Sequence, residues 1–141
     1  MAEKHTLRVT VITPERTALD AQALSVVFPA CDGEWGVLPG HADLIAMLGC
    51  GVLRYTRPDE SLAYLAVRGG FAQVKEDVIA ILTPESAAPE NLNAAALDAE
   101  TAQLAEPPAE PAEREAHAQK VQWLRARRKA AAFARSPIER Y

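Results

Sequence analysis

The chain has 141 residues, of which 49% are apolar and 24% are charged. This length suits one average domain with an appendage, and the apolar fraction is high enough to exclude a wholly disordered chain. No apolar run approaches the roughly 18 residues of a transmembrane helix, and the N-terminal segment lacks a secretory signal, so we expect a cytosol-like compartment. Cys31 and Cys50 are too few for a disulfide framework and lack metal-site spacing, which predicts two half-buried thiols.

Charge is distributed unevenly along the chain. Residues 1–108 contain 7 Lys and Arg against 15 Asp and Glu, whereas residues 109–141 contain 8 against 4. A basic tail on an acidic body indicates an anionic partner for the tail. Nucleic acid is disfavoured, because no aromatic residues interleave with the basic ones and the acidic body would repel phosphates.

Short β-type segments separated by turn residues make up the chain as far as residue 86. The predicted strands are residues 7–11, 24–28, 51–56, 62–67 and 78–82. Such short strands with frequent turn signals are typical of an antiparallel sandwich or barrel. Residues 33–41, with the sequence GEWGVLPGH, contain three glycines and a proline and predict a tight loop of fixed shape.

The remainder of the chain predicts two helices. Asn91 and Asn93 are capping candidates before an alanine-rich helix at residues 94–105, and a proline-rich turn separates it from a second helix at about residues 112–134. Two helices joined by a short turn form an αα-hairpin. The predicted fold is therefore α+β, with an N-terminal antiparallel β-sandwich at residues 1–86 and a C-terminal αα-hairpin at residues 87–141.

The second helix has two contrasting faces when plotted at about 100° per residue. Its cationic face contains Arg114, Arg125, Arg128, Lys129 and Arg135. The opposite face contains Trp123, Ala126, Ala130, Phe133 and Ala134 and is expected to pack on the first helix. An arginine-rich stripe suits pairing with carboxylates, and the alternative is an ordinary solvated face.

The candidate catalytic residues do not form a constellation in the sequence. His41 has no neighbouring Ser, Cys or carboxylate in the pattern of a triad. Asp98 and Glu100 are two positions apart on a helix and therefore point away from each other. The sequence predicts no catalytic residue and no metal site, so a non-enzymatic role is expected.

Three sequence blocks, VITPE at 11–15, GEWGVLPGHA at 33–42 and VRGGFA at 67–72, precede the alanine-rich tail. In this order they resemble the epsilon subunit of F-type ATP synthases, called delta in mitochondria, over about residues 7–133. The resemblance implies a β-sandwich with a helical hairpin at the foot of the central stalk. It also implies a proton-translocating complex on the cytoplasmic face of the bacterial inner membrane, with this subunit peripheral to the membrane and coupling c-ring rotation to gamma and the catalytic head.

The resemblance also implies partners for particular residues. The loop residues Glu34, Trp35 and Gly36 would contact the c-ring, with a solvated turn carboxylate as the alternative for Glu34. His41 would hydrogen-bond within the sandwich or at the gamma interface. The cationic stripe would contact the alpha and beta subunits when the hairpin extends and inhibits ATP hydrolysis. The alternative is a purely structural subunit whose hairpin stays folded.

Some relatives bind ATP through the motif Ile/Leu-Asp-x-x-Arg-Ala, which corresponds here to LDAETA at residues 97–102. Thr101 stands where the motif has arginine, and the lost charge-assisted contact is worth about 1.5–3 kcal/mol. Glu85 and Asp98 are then the vestiges of an ATP site, and we expect no cofactor. A stand-alone nucleotide-binding regulator is the alternative that Thr101 disfavours.

Overall fold

The computed structural model describes residues 5–135, which form a sheet of eight strands followed by two helices. The strands are β1 (Leu7–Ile12), β2 (Thr17–Ala23), β3 (Ser25–Ala30), β4 (Gly33–Val37), β5 (Leu44–Thr56), β6 (Leu62–Lys75), β7 (Val78–Leu82) and β8 (Ser86–Ala87). The helices are α1 (Ala94–Gln103) and α2 (Arg114–Arg135), and a 3-10 turn precedes each of them, at Pro89–Asn91 and Pro111–Glu113.

The strands are ordered β2-β1-β7-β6-β5-β3-β4, with β8 paired to β6, and every pair is antiparallel except β1 with β7. The long strands β5 and β6 belong to both layers of the sandwich. The first part of β5 pairs with the last part of β6 beside β7, whereas the last part of β5 lies between β6 and β3.

A glycine-rich bend lies where β5 and β6 pass from one layer to the other. Gly70 has φ +106°, and a Cβ on it would lie 1.8 Å from the carbonyl oxygen of Leu82. Only glycine therefore allows β7 to approach β6 at this point.

The two layers enclose a core that contains Leu7, Val9, Val11, Phe28, Leu53, Val67, Val74, Ile79 and Ile81. The α+β class and the N-terminal β-sandwich are confirmed.

The five predicted strands are present, but β2, β4 and the two-residue β8 were missed, and β5 and β6 are longer than expected. β2 has the sequence TALDAQA, whose small and acidic residues give little β signal. β4 occupies the first five residues of the predicted 33–41 loop and pairs with β3, so the prediction of a loop there was wrong. Cys31 is exposed and only Cys50 is partly buried, so the prediction of two half-buried thiols holds for one of them.

The helices follow the predicted order and differ from it at their ends. The Asn93 side chain caps α1 by accepting hydrogen bonds from the amides of Ala95 at 2.8 Å and Ala96 at 3.2 Å. α1 ends at Gln103, two residues before the predicted limit.

The proposed domain limit at residue 86 falls within β8, and the division into two units stays a prediction. Residues 136–141 of the predicted hairpin lie outside the described residues.

The apolar face of α2 packs on the sandwich. Trp123, Ala126 and Ala130 form one buried cluster with Val52, Tyr64 and Ala66 of β5 and β6. The rings of Tyr64 and Phe133 add a contact between centroids 5.4 Å apart. The expectation that this face packs on the first helix was therefore wrong, because β5 and β6 offer it larger apolar side chains, such as Val52 and Tyr64, than the alanines of α1 do.

Candidate functional site

The cross-strand register places four exposed apolar side chains in one line across neighbouring strands. Met47 of β5 pairs with Phe71 of β6, Phe71 pairs with Leu82 of β7, and Leu82 pairs with Ile12 of β1. Their relative exposures are 61%, 52%, 51% and 39% in the order Met47, Phe71, Leu82, Ile12. Single exposed apolar residues are ordinary, whereas a contiguous patch marks an interaction site. We call this line the apolar row.

The same face mixes polar and apolar residues away from the apolar row, where Ile45 is 74% and Val78 is 39% exposed. The next line of outward residues is Ile45, Gln73, Ala80 and Thr10, and the line after it is Lys75, Val78 and Arg8. Arg8 donates two hydrogen bonds to the Asp20 carboxylate, at 3.0 and 2.8 Å. Exposed apolar side chains that give way to charged ones such as Lys75 and Arg8 at the border are the usual anatomy of a protein–protein interface.

The residues predicted to contact the c-ring lie on β4, at the edge of the other layer. Glu34 is exposed, and its side chain forms no ion pair or hydrogen bond within residues 5–135. Trp35 is 37% exposed, and its Nε1 donates to the Asp32 carboxylate at 3.1 Å in the turn that joins β3 to β4. Glu34, Trp35 and Gly36 are thus presented by a hydrogen-bonded strand, which holds them more firmly than a loop. Their contact with the ring stays a prediction.

The second half of the GEWGVLPGH segment forms a turn beside β7. The amide of His41 donates to the Leu38 carbonyl at 3.1 Å, and Gly40 has φ +85°, as position three of a type II turn requires. The Gly40 amide also donates to the Asp77 carboxylate at 2.7 Å. The Nδ1 of His41 donates to the carbonyl of Ala42 at 2.7 Å, an arrangement that fixes the orientation of the ring. A role for His41 at the gamma interface stays a prediction.

The five predicted cationic residues of α2 are all exposed, but they do not behave alike. The side chains of Arg114, Arg125 and Arg135 make no ion pair or hydrogen bond to any other residue from 5 to 135. Lys129 Nζ lies 5.5 Å from the centroid of the Phe133 ring. Arg128 pairs with Asp98 on α1 at 3.1 Å, so the folded hairpin already occupies one cation of the stripe.

Arg127 was missed by the sequence reasoning. It forms an ion pair with Glu100 of α1, and its guanidinium lies 5.2 Å from the centre of the Trp123 ring. Its side chain is only 17% exposed, whereas that of Arg128 is 47% exposed. The spacing of four between Trp123 and Arg127 was the available signal, since such residues are neighbours on one helix face.

The vestigial ATP-binding residues are separated in the structure. Glu85 pairs with Arg68 at 2.9 Å, and a polar cavity of about 410 Å³ beside them is also lined by Glu100, Lys120 and Arg127. Asp98 pairs with Arg128 instead and does not line that cavity. Both carboxylates already have a cationic partner from this chain, and the expectation that no nucleotide binds stays a prediction.

Within residues 5–135, no three His, Cys, Asp or Glu side chains are grouped as a metal site would need. Neither α1 nor α2 has the length and apolar content to cross a membrane. The candidate functional features described above are three surfaces: the apolar row, the exposed end of β4 and the cationic face of α2.

Comparison with known proteins decides which kind of subunit presents these surfaces. Residues 6–89 match the family described as the β-sandwich domain of the ATP synthase delta/epsilon chain. The chain belongs to this family. The ATP synthase epsilon chain of Leptospira borgpetersenii is 41% identical over 102 residues, which cover 72% of this chain and 77% of that relative. The epsilon chain of a Synechococcus strain (JA-2-3B'a(2-13)) is 42% identical over 94 residues, covering 67% and 68%.

Two solved structures share the fold. A chain in the mitochondrial ATP synthase of Euglena gracilis, solved with its c-ring, aligns with a TM-score of 0.79 at 21% identity, covering 90% of this chain and 81% of that one. A chain of the central stalk and c-ring of Tetrahymena thermophila aligns with a TM-score of 0.65 at 15% identity, covering 92% and 99%. At these identities the likeness shows the fold alone.

Family membership makes this chain a non-catalytic subunit of ATP synthase and a part of its central stalk. The resemblance found in the sequence is confirmed, and the reading as a stand-alone nucleotide-binding regulator loses its basis. The family match ends at residue 89, before α1, so it does not include the hairpin.

Proposed function

We propose that this subunit couples rotation of the c-ring to the gamma subunit and the catalytic head of a proton-translocating F-type ATP synthase. It would act on the cytoplasmic face of a bacterial inner membrane, as a peripheral subunit of the complex. The observation that carries the proposal is the apolar row, because it gives the sandwich an apolar surface to which gamma can bind. The hairpin would contact the alpha and beta subunits.

The apolar row can supply useful binding energy because its side chains are about half exposed. Full burial of a large apolar side chain is worth about 1.5–3 kcal/mol, so covering the remaining half of one such residue contributes about 1 kcal/mol. Introducing a charge there does more, since the carboxylate must then be desolvated against an apolar partner. The row therefore predicts a cluster of energetically important contacts bordered by weaker polar ones.

The test replaces one leucine of the apolar row and compares it with a valine on the same strand. Leu82→Asp is expected to weaken binding of purified gamma by about 30-fold or more, which corresponds to about 2 kcal/mol. Val78→Asp lies on the same strand and face, in the polar line between Lys75 and Arg8, and is expected to change the affinity less than about threefold. Calorimetric titration measures both, with thermal unfolding as the check on the fold. Equal effects of the two variants, or no effect of Leu82→Asp, would contradict the assignment of the apolar row to gamma.

The exposed end of β4 is the surface proposed to bear on the c-ring. Glu34 is free for an intermolecular pair, and the strand on which it sits resists lateral displacement. The resemblance implies a ring loop with basic side chains. Glu34→Lys is therefore expected to reduce ATP-driven proton pumping more than Glu34→Gln does, because it would replace an attraction to that loop by a repulsion. Gamma binding, measured in parallel, should be unchanged in both variants. Equal pumping by the two variants would contradict a charge contact at Glu34.

The cationic face of α2 is proposed to hold the extended hairpin against the alpha and beta subunits and so to inhibit ATP hydrolysis. The charges proposed for this contact are Arg114, Arg125, Lys129 and Arg135, together with Arg128 once the hairpin opens and its pair with Asp98 is broken. Substituting Arg114 and Arg125 by Ala is expected to raise the hydrolysis rate of the assembled complex. Arg16→Ala, an exposed arginine of the sandwich, is the control. An unchanged rate in the double variant would favour the purely structural role, which the packing of α2 on β5 and β6 supports.

A further inference from the structure

α1 is attached to the rest of the protein mainly by polar groups. Leu97 is its one buried residue among the ten residues of the helix. The other attachments are ion pairs to α2 and, just beyond the end of α1, a hydrogen bond from His117 Nε2 to the carbonyl oxygen of Leu104 at 3.1 Å. Because little apolar area holds α1, the polar contacts decide how readily the hairpin opens.

The inner of the two ion pairs joins Arg127 to Glu100. The Arg127 guanidinium stacks over Trp123, and its Nε donates to the Trp123 carbonyl at 3.3 Å. Trp123 is itself packed on β5 and β6 and is 7% exposed. Arg127 therefore has a fixed position, and separating it from Glu100 would leave a largely buried cation without its partner.

The outer ion pair joins Arg128 to Asp98 and includes Thr101. Arg128 Nη1 donates to Asp98 Oδ1 at 3.1 Å and to Thr101 Oγ1 at 2.9 Å. The Thr101 hydroxyl donates its own proton to the Leu97 carbonyl at 2.8 Å, so its lone pairs are left to accept from Arg128. The residue that departs from the nucleotide-binding motif thus has a structural use in this chain.

We propose that these two ion pairs form a latch that keeps the hairpin folded without a nucleotide. The inner pair supplies most of the strength because it is shielded from water, and the outer pair adds selectivity because Arg128 is one of the cations offered to the catalytic subunits. Arg128 cannot bind Asp98 and a partner carboxylate at the same time, so opening the hairpin and engaging that partner are coupled. A regulatory role for the latch rests on the proposed inhibitory function. The latch itself can form whether or not the hairpin inhibits hydrolysis.

The test uses the isolated full-length subunit, in which no hydrolysis is measured. Glu100→Gln keeps the shape and the helix propensity of the side chain but removes its charge, and we expect amide hydrogen exchange across α1 to accelerate by about tenfold or more. Asp98→Asn should accelerate exchange by only about two- to threefold, since its pair is more exposed. Glu90→Gln, in the turn before α1, is the matched control and should have no effect. Circular dichroism checks that the helices persist.

Three further measurements test the latch, and the absence of any one of the expected results would overturn it. Exchanging the partners, with Glu100→Arg and Arg127→Glu in one chain, should restore more protection than either single substitution leaves. Raising sodium chloride to about 0.5 M should weaken the outer pair more than the inner one. Millimolar Mg-ATP should leave the protection of the unmodified chain unchanged. Failure of the proposed inhibition would appear only in the assembled complex, so it can be told apart from failure of the latch.

Discussion

Trp123→Ala tests whether α2 is held on the sandwich by the contact seen in the structure. Trp123 is 7% exposed and belongs to the buried cluster that also contains Val52, Tyr64 and Ala66. A buried tryptophan removes about 150–250 Å² from water, which at about 25 cal/mol per Å² gives an upper limit of about 4–6 kcal/mol. The substitution also removes the ring beneath Arg127, worth about 0.5–1 kcal/mol. We expect a loss of about 3 kcal/mol of docking free energy.

Cys50 provides the assay for this substitution. It packs against the same cluster, and burial raises the pKa of its thiol although Arg68 and Arg127 oppose the shift. A raised pKa means that the reactive thiolate is scarce at pH 8 while α2 is docked, and undocking restores both access and an ordinary thiolate fraction. In a Cys31→Ser background, Trp123→Ala should therefore increase the rate at which maleimide labels Cys50. The increase is about 100-fold if the whole loss of docking free energy raises the population in which α2 is undocked.

The control for the labelling experiment is Trp35→Ala. Trp35 is the other tryptophan of the chain, it is 37% exposed, and it lies on β4 away from α2. Its substitution should leave the labelling rate of Cys50 unchanged. If Trp123→Ala changes that rate by less than about twofold, α2 does not depend on this contact and the docking energy estimated from buried area is wrong.

Three further predictions concern the sandwich and α1. Gly70→Ala should lower the free energy of unfolding by about 3 kcal/mol or more, measured by thermal unfolding, because the new Cβ would meet backbone atoms of Leu82 and Thr83. Gly36→Ala is the control and should fold normally, because there is open space around Gly36. Asn93→Ala should lower the stability of α1 by about 1 kcal/mol, which faster exchange at its first amides would reveal. The hydrogen bond from Arg8 lowers the pKa of Asp20, so this pair stabilises the fold above the ordinary carboxyl pKa, and the contribution is lost as the pH falls through the lowered value. Arg8→Met should raise the pKa of Asp20 measured by NMR titration, and an unchanged pKa would show that the pair does not form in solution.

The sequence predicted the strands whose signal is local and missed those whose signal is not. Leu7–Ile12 alternates apolar and polar residues, and Val78–Leu82 is a short apolar run between clear turns, so each carries its strand signal within its own segment. Gly33–Val37 contains two glycines, and pairing with β3 overrides that local preference. The glycines of this segment therefore predict a loop, and only its partner strand makes it β4.

The candidate surfaces were harder to predict than the fold, because they depend on register. The apolar row takes one residue from each of four strands, and no short segment of sequence contains two neighbouring members of it. The cationic stripe of α2 is visible in the sequence, but periodicity does not identify what lies opposite each side chain. Arg127 and Arg128 are adjacent in sequence, yet one is largely buried against Trp123 and the other is half exposed beside Asp98.

The two halves of β5 and β6 link the apolar row to the hairpin. In one layer these strands carry Met47 and Phe71 of the apolar row, and in the other they carry Val52, Tyr64 and Ala66 beneath α2. If α2 leaves the sandwich, this second apolar surface is exposed to water, which is unfavourable unless another subunit covers it. The folded hairpin is therefore the expected state of the isolated subunit, and a partner that stabilises the extended state must bind α2 and tolerate the uncovered strands. Exposure of this surface predicts that a chain ending at Ala88 binds a hydrophobic dye more strongly than the full-length chain, and equal dye binding would contradict the argument.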